Sequence, residues 1–332
     1  MMFNIKYLTQ RTTSVMPSED FYKMYYSGKD GQTDVFKNKY DMPIAFVTSS
    51  DIDKWECEEG NPFNVQEDFI DRAAGVSDVF VPCEFEGSEA FNCECEDINE
   101  NGVFSFSKTD DSDSGSIEVT LKAATDSNLY IYISSNGIDN VSYFWNNEEN
   151  TADQYIDEPY IMDLGMHNKG DKIRVEMSLA GMESDSSIVD FYAYSIDKDV
   201  FESAYDVLQN GKMDVTDYSD TSIEGTVDAG FNGYLYTSVP YDEGWSVYID
   251  GEKVKTFEIG DCMLATTIKA GKHSVKYKFT PKGMKYGIVI SAAAWLCVIV
   301  YGVYRILAKR GKNKLNSNKV NNITIEQQRN LL

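Results

Sequence analysis

The sequence predicts a mainly β protein: two antiparallel β-sandwich, jelly-roll-like domains with short helices, followed by one C-terminal transmembrane α-helix. Three observations predict it. From about Asn99 onward, apolar residues recur at every second position, as on strands with one buried face. Asp250-Gly251 stands between two such runs, and a type I′ hairpin turn needs residues that tolerate positive φ. Tyr286 to Leu307 reads YGIVISAAAWLCVIVYGVYRIL, with no charge until Arg305. As a helix that run reaches roughly 33 Å, enough to cross a hydrocarbon core.

Taken in order, residues 1–98 read as an irregular N-terminal segment with a short helix. The helix opens at Asn61-Pro62-Phe63, places Phe63, Phe69, Ile70 and Ala73-Ala74 near helical spacing, and stops at Gly75. Residues 99–198 form the first sandwich. Its strands are marked by Val103, Phe104 and Phe106, by Ile117 to Leu121, by Leu129 to Ile133 and by Ile173 to Leu179, with a turn at Asn136-Gly137. Residues 199–283 hold a linker helix over Val200 to Leu208, ending near Gly211, and the second sandwich. Trp245 to Ile249 and Lys253 to Phe257 flank its hairpin turn, and Val275 to Phe279 alternates cleanly. The two sandwiches form a weak internal repeat, each with a Trp-bearing hairpin and a closing strand after Asn168-Lys169-Gly170 or Lys269-Ala270-Gly271. Residues 286–307 are the transmembrane helix and 308–332 a basic cytoplasmic tail.

Charge supports that topology. The formal net charge is −24. Seven of the 30 Lys and Arg and one of the 54 Asp and Glu follow Lys285, which leaves about −30 on the residues before it. Basic residues flank the helix on both sides, Lys276, Lys278, Lys282 and Lys285 before it and Arg305, Lys309, Arg310, Lys312 and Lys314 after it. The second flank carries more charge, which places it in the cytoplasm and the acidic bulk outside. A field of that sign repels phosphate backbones, so no nucleic-acid partner is expected, and it disfavours docking of the main body on anionic lipid. Export of such a body needs a signal, and MMFNIKYLTQ has no apolar core. The expectation is an upstream multi-pass membrane portion, or a reading frame that begins late.

Few groups suggest chemistry. His167 and His273 are the two histidines, and neither has the sequence surroundings of a nucleophile's base. Cys57, Cys83, Cys93 and Cys95 permit three disulfide pairings, and Cys93-Glu94-Cys95 lacks the second close pair that a tetrahedral metal site uses. Asp110-Asp111-Ser112-Asp113-Ser114-Gly115 gathers carboxylates beside a glycine but misses the spacing of a calcium loop. No catalytic residue, metal or cofactor is assigned. The ligand-binding candidates are Trp145 with Asn146, and Tyr241, Asp242 and Trp245. Sugars stack their C–H faces on aromatic rings while amides and carboxylates bond the hydroxyls. Against this, Trp245 alternates with Val247 and Ile249, which points it inward.

The stretch from Leu235 through Pro240-Tyr241-Asp242-Glu243-Gly244-Trp245 to Asp250-Gly251 resembles the closing region of the bacterial YfhO family. So do Gly271-Lys272-His273 and the last helix, Tyr286 to Leu307, and the opening segments Asn4 to Tyr7 and Pro43 to Phe46 are similar to the family's own. The resemblance implies a large polytopic membrane protein, similar to GT-C type glycosyltransferases, that adds sugars to cell-envelope polymers such as lipoteichoic acid. The family's expected catalytic carboxylates lie N-terminal to the region matched. The resemblance therefore implies that this chain positions an acceptor or a lipid-linked donor and leaves the chemistry to the rest. Its partners would be the lipid bilayer, through Tyr286 to Leu307, and a cell-envelope glycan or lipid-linked sugar. The alternative is a stand-alone, membrane-anchored surface module that binds glycans or proteins.

Overall fold

Alternating strands build the first sandwich. The structure, a computed structural model, describes residues 4–11, 17–28, 33–57, 60–98, 102–109, 115–146, 148–149, 154–155, 159–179 and 186–329, with backbone alone at 148–149, 154–155 and 311–329. One sheet runs in the order Ile161–His167, Ser127–Ser134, Ser186–Ile196, Val103–Lys108, Cys93–Cys95, with Phe80–Pro82 also pairing with Ser186–Ile196. The facing sheet runs Glu148–Glu149, Asn140–Trp145, Lys172–Ser178, Ser116–Lys122, Glu84–Phe91. Ile117, Val119 and Leu121 from one sheet meet Leu129, Ile131, Ile133 and Phe191 from the other in a single apolar core. The run Asp110 to Ser114 lies outside the described residues.

The second sandwich has one sheet in the order Met213–Ser219, Ser222–Ala229, Gly271–Phe279, Trp245–Ile249, Glu252–Val254. Its partner runs Thr256–Ile259, Met263–Ile268, Gly233–Pro240, Ala45–Thr48. Leu235, Val247, Leu264, Val275 and Tyr277 fill the space between. Asp250 and Gly251 have φ of 51° and 84°, as the type I′ turn requires. The return from that turn differs from the single strand expected over Lys253 to Phe257. It divides at Lys255: Glu252–Val254 pairs with Trp245–Ile249, and Thr256–Ile259 joins the other sheet. A strand that changes sheets closes a corner of the sandwich.

The first 98 residues, read as irregular apart from one helix, contain strands of several kinds. Tyr7–Arg11, Thr33–Asn38 and Tyr22–Ser27 make a three-stranded antiparallel sheet. Phe80–Pro82, Glu84–Phe91 and Cys93–Cys95 enter the first sandwich, and Ala45–Thr48 enters the second. Ala45–Thr48 is buried on both faces, so it has no polar phase to alternate with; Glu84–Phe91 is mostly exposed on both. Either condition removes the period-2 signal.

Two helices cover the outer face of the sheet that Ala45–Thr48 joins. Helix α1 (Pro62–Ala74) begins where the Asn61 side chain accepts from the Phe63 amide at 3.0 Å, and ends at Gly75 with φ 69°. Helix α2 (Lys198–Asn210) is capped by Asp197, which accepts from the Val200 amide at 3.2 Å. Phe69 from α1, Leu208 from α2, Trp55, Phe46 and Tyr236 form a third core. The chain divides into two compact units, Met1–Lys278 and Phe279–Leu332. In the second, helix α3 (Met284–Arg329) includes Met284–Arg310, which is long and apolar enough to cross a membrane. Its Trp295, Leu296 and Val298 are exposed, as on a helix whose surroundings are apolar. All six cysteines are free thiols, Cys83 and Cys93 buried and Cys57, Cys262 and Cys297 exposed.

Candidate functional site

Two neighbouring strands of the first sandwich put tyrosine on the phase that faces away from the core. On Ser127–Ser134, Leu129, Ile131 and Ile133 point inward and Tyr130 and Tyr132 outward. On Ser186–Ile196, Phe191 and Ala193 point inward and Tyr192 and Tyr194 outward. The antiparallel register sets Tyr132 opposite Tyr192 and Tyr130 opposite Tyr194. The Tyr132 and Tyr192 rings lie 6.0 Å apart and within 16° of parallel. Asp190 continues the row beside Tyr192, opposite Ser134. Burial pushes the Tyr192 phenol above its usual range, and the Asp190 carboxylate adds to the effect. The hydroxyl therefore stays protonated, able both to donate and to accept.

The start of α1 supplies amides to the same face. Asn61 Nδ2 donates to the Tyr194 hydroxyl at 2.9 Å, and that hydroxyl donates to Asn64 Oδ1 at 3.3 Å. The buried Phe63 ring packs on Tyr194 at 4.6 Å. Together Asn61, Asn64, Tyr192, Tyr194, Phe85 and Gly102 border a cleft of about 420 Å³. Gly102 is required there. Its φ is 73°, and a Cβ would meet Tyr192 Cδ1 at 2.9 Å and collide with the Phe191 carbonyl. Asn61 serves both the helix cap and the Tyr194 hydroxyl. Asn61→Ala is expected to cost about 1 kcal/mol in urea unfolding, near the usual price of an N-cap.

The polar groups that line the cleft are phenols, amides and one thiol. Cys83 lines the cleft, but burial raises its thiol above the usual range and its sulfur lies 3.6 Å from Ser195 Oγ, so it is a protonated, inert thiol. Among the described residues, no group of three or more His, Cys, Asp or Glu is arranged to hold a metal ion. His167 is buried, its Nε2 donates to the Leu164 carbonyl at 3.1 Å, and burial lowers its basicity. His273 is held between Asp250 Oδ2 at 2.7 Å and Lys269 O at 3.0 Å, supporting the hairpin.

The residues singled out from sequence lie elsewhere. Trp145 is half-buried against the first core with its ring edge-on to His167 at 5.1 Å, and Asn146 follows it, exposed, at φ 52°. Tyr241 and Trp245 pack at the margin of the second sandwich's core, and Asp242 Oδ1 accepts from the Gly244 amide at 2.6 Å to fix the turn between them. The two groups belong to different sandwiches and are not brought together. The tyrosine face was missed, although Leu129-Tyr130-Ile131-Tyr132-Ile133 and Phe191-Tyr192-Ala193-Tyr194 carry the signal: aromatic rings in the phase where a solvent-facing strand residue is usually polar.

Two β-sandwiches, an outward aromatic face and a helix able to cross a bilayer define a membrane protein whose bulk is a β-rich module. The chain belongs to the YfhO family: the family model described as bacterial membrane protein YfhO matches residues 1–291. No curated protein matches it. Among solved structures, it is similar to the arabinofuranosyltransferase AftD from Mycobacteria at 8% identity and a TM-score of 0.20, over 44% of this chain and 12% of that one. It is also similar to a family 29 carbohydrate-binding module at 13% identity and a TM-score of 0.22, over 35% of this chain and 85% of that one. A Podospora anserina GH26-CBM35 β-(1,4)-mannanase gives 12% identity and a TM-score of 0.24, over 35% of this chain and 28% of that one. Likenesses of this size carry no functional argument. The chain spans about an eighth of the length of the arabinofuranosyltransferase.

Proposed function

We propose that this chain is the extracytoplasmic C-terminal portion of a YfhO-type integral membrane protein that glycosylates cell-envelope polymers of the lipoteichoic-acid kind. In that role it positions the polymer acceptor or the lipid-linked sugar donor, and the transfer chemistry belongs to an upstream multi-pass portion. The observation that carries the reading is the Tyr132–Tyr192 pair, near-parallel on an outward sheet face beside a cleft edged by the Asn61 and Asn64 amides. Flat rings take the apolar faces of pyranose rings, and amides and phenols exchange hydrogen bonds with the hydroxyls. Asn146 beside Trp145, and Asp242 beside Tyr241 and Trp245, are proposed as outlying contacts for a longer chain.

The test is titration of the full chain, in detergent, with a panel of envelope glycans that includes sugar-substituted poly(glycerol phosphate). Tyr132→Ala together with Tyr192→Ala is expected to weaken binding about tenfold to a hundredfold, at roughly 1 kcal/mol per lost ring contact. Tyr218→Ala, on the exposed strand Met213–Ser219, is expected to leave it unchanged. Failure of the unsubstituted chain to bind any glycan of the panel sinks the reading, as does undiminished binding by the double variant.

A further inference from the structure

The three-stranded sheet of the N-terminal segment has one face that stands apart from the rest of the molecule. The register places Tyr7, Lys37 and Lys23 in one row across it, Thr9, Val35 and Tyr26 in the next, and Arg11 with Thr33 in the third. A bulge between Met24 and Tyr26 turns Tyr25 onto the same face, its ring 5.0 Å from that of Tyr7. The opposite face holds the buried Phe36 and Asp34. Tyr7, Tyr25 and Tyr26 are 44%, 63% and 51% exposed. Lys6 extends its ammonium to 5.9 Å from the Tyr7 ring.

None of these rows contains an acid. In a chain with 54 acidic and 30 basic residues, a face with Lys23, Lys37 and Arg11 and no carboxylate is conspicuous. Among the described residues, none of those three cations forms an ion pair. Elsewhere Lys122, Lys172 and Lys276 on the sandwich strands and Lys198 at the start of α2 are each paired with a carboxylate. Unpaired cations beside exposed tyrosines are the combination that partitions to a headgroup layer. The amphipathic ring sits at the polar–apolar boundary, and each cation near an anionic leaflet adds attraction of its own.

We propose that this face, Tyr7, Tyr25, Tyr26, Lys23, Lys37 and Arg11, docks on the anionic headgroups of the bilayer. The strongly acidic remainder is repelled by the same surface, so attraction here and repulsion elsewhere set one orientation of the Met1–Lys278 unit against lipid. The span in α3 keeps the two at high effective concentration, so a weak contact suffices. Sequence composition taken as a whole pointed against lipid docking; only the register shows that one face escapes the average. The inference does not depend on the glycan reading.

The test is hydroxyl-radical footprinting of the full chain in nanodiscs of phosphatidylglycerol and of phosphatidylcholine. Oxidation of Tyr25 and Tyr26 is expected to fall about threefold in the anionic discs relative to the neutral ones, and to recover at about 1 M salt, where screening shortens to a few ångströms. Tyr218, 80% exposed in the second sandwich, is expected to be oxidised equally in both. Lys23→Glu with Lys37→Glu, both at exposed positions, is expected to abolish the protection. Equal oxidation of Tyr25 and Tyr26 in the two discs overturns the proposal, as does protection that survives the double variant. Protection in neutral discs that grows with protein concentration assigns the face to a second copy. Protection produced there by added poly(glycerol phosphate) assigns it to a polymer. Either result also overturns it.

Discussion

Phe46→Ala is expected to lower the unfolding free energy of the Met1–Lys278 unit by about 4 kcal/mol, the middle of the range for a buried phenylalanine. Phe46 is fully buried, and its ring lies 5.3 Å from that of Tyr236, which in turn lies 5.3 Å from Phe69 of α1. Its strand, Ala45–Thr48, sends Ala45 and Val47 into the core of the second sandwich and Phe46 into the helical layer. The strand is pinned on both sides, by Gly233–Pro240 and by the Val47 amide to the Gly211 carbonyl at 2.9 Å. A site so enclosed cannot collapse around a missing ring, so the cavity cost adds to the transfer cost. Urea unfolding followed by near-UV circular dichroism measures it. A loss below about 1 kcal/mol would mean that the strand is not seated between two cores.

Gly260→Val is expected to cost about 3–4 kcal/mol, with two causes. Gly260 opens the turn between Thr256–Ile259 and Met263–Ile268 at φ 58°, a conformation that a β-branched residue adopts only under strain. A Cβ there would also overlap the six-membered ring of Trp55. Trp55 has little room to yield: it is buried, its Nε1 donates to the Val65 carbonyl at 3.0 Å, and its ring packs edge-on to Phe69 at 5.2 Å. Overpacking of that kind adds to the backbone strain. Gly260→Ala, which brings the same Cβ overlap with less backbone strain than a branched side chain, should fall between glycine and valine. Trp55 fluorescence during unfolding reads both variants, and full stability in Gly260→Val would refute the close approach.

Both predictions rest on residues whose importance is invisible in one dimension. Helices α1 and α2 were legible, because Asn61-Pro62, Gly75 and Gly211 are local signals that act within one turn of the chain. Strands with one wet face were legible for a similar reason: Ile117, Val119 and Leu121 state their own period. Ala45–Thr48 was not, since the same four residues are buried on both sides, on one edge by Gly233–Pro240, far along the chain. The candidate site divides in the same manner. Trp145 and Trp245 drew attention as large rings near polar neighbours, yet both pack at core margins. Tyr132 and Tyr192 matter because antiparallel register lays them side by side across 60 residues of chain.

The sequence by itself determined the β-rich class, the local starts and stops of α1 and α2, the apolar run able to span a membrane and the resemblance that the family match upholds. Those features follow from neighbours within a few residues, where periodicity and turn chemistry act. Only the tertiary structure decided which strands share a sheet, which aromatic rings face outward as a pair, and that Tyr7, Lys23, Lys37 and Tyr26 lie together on a face without acids. Pairing joins residues far apart in the chain, and a shift of one position in register would have turned every one of those side chains to the other face.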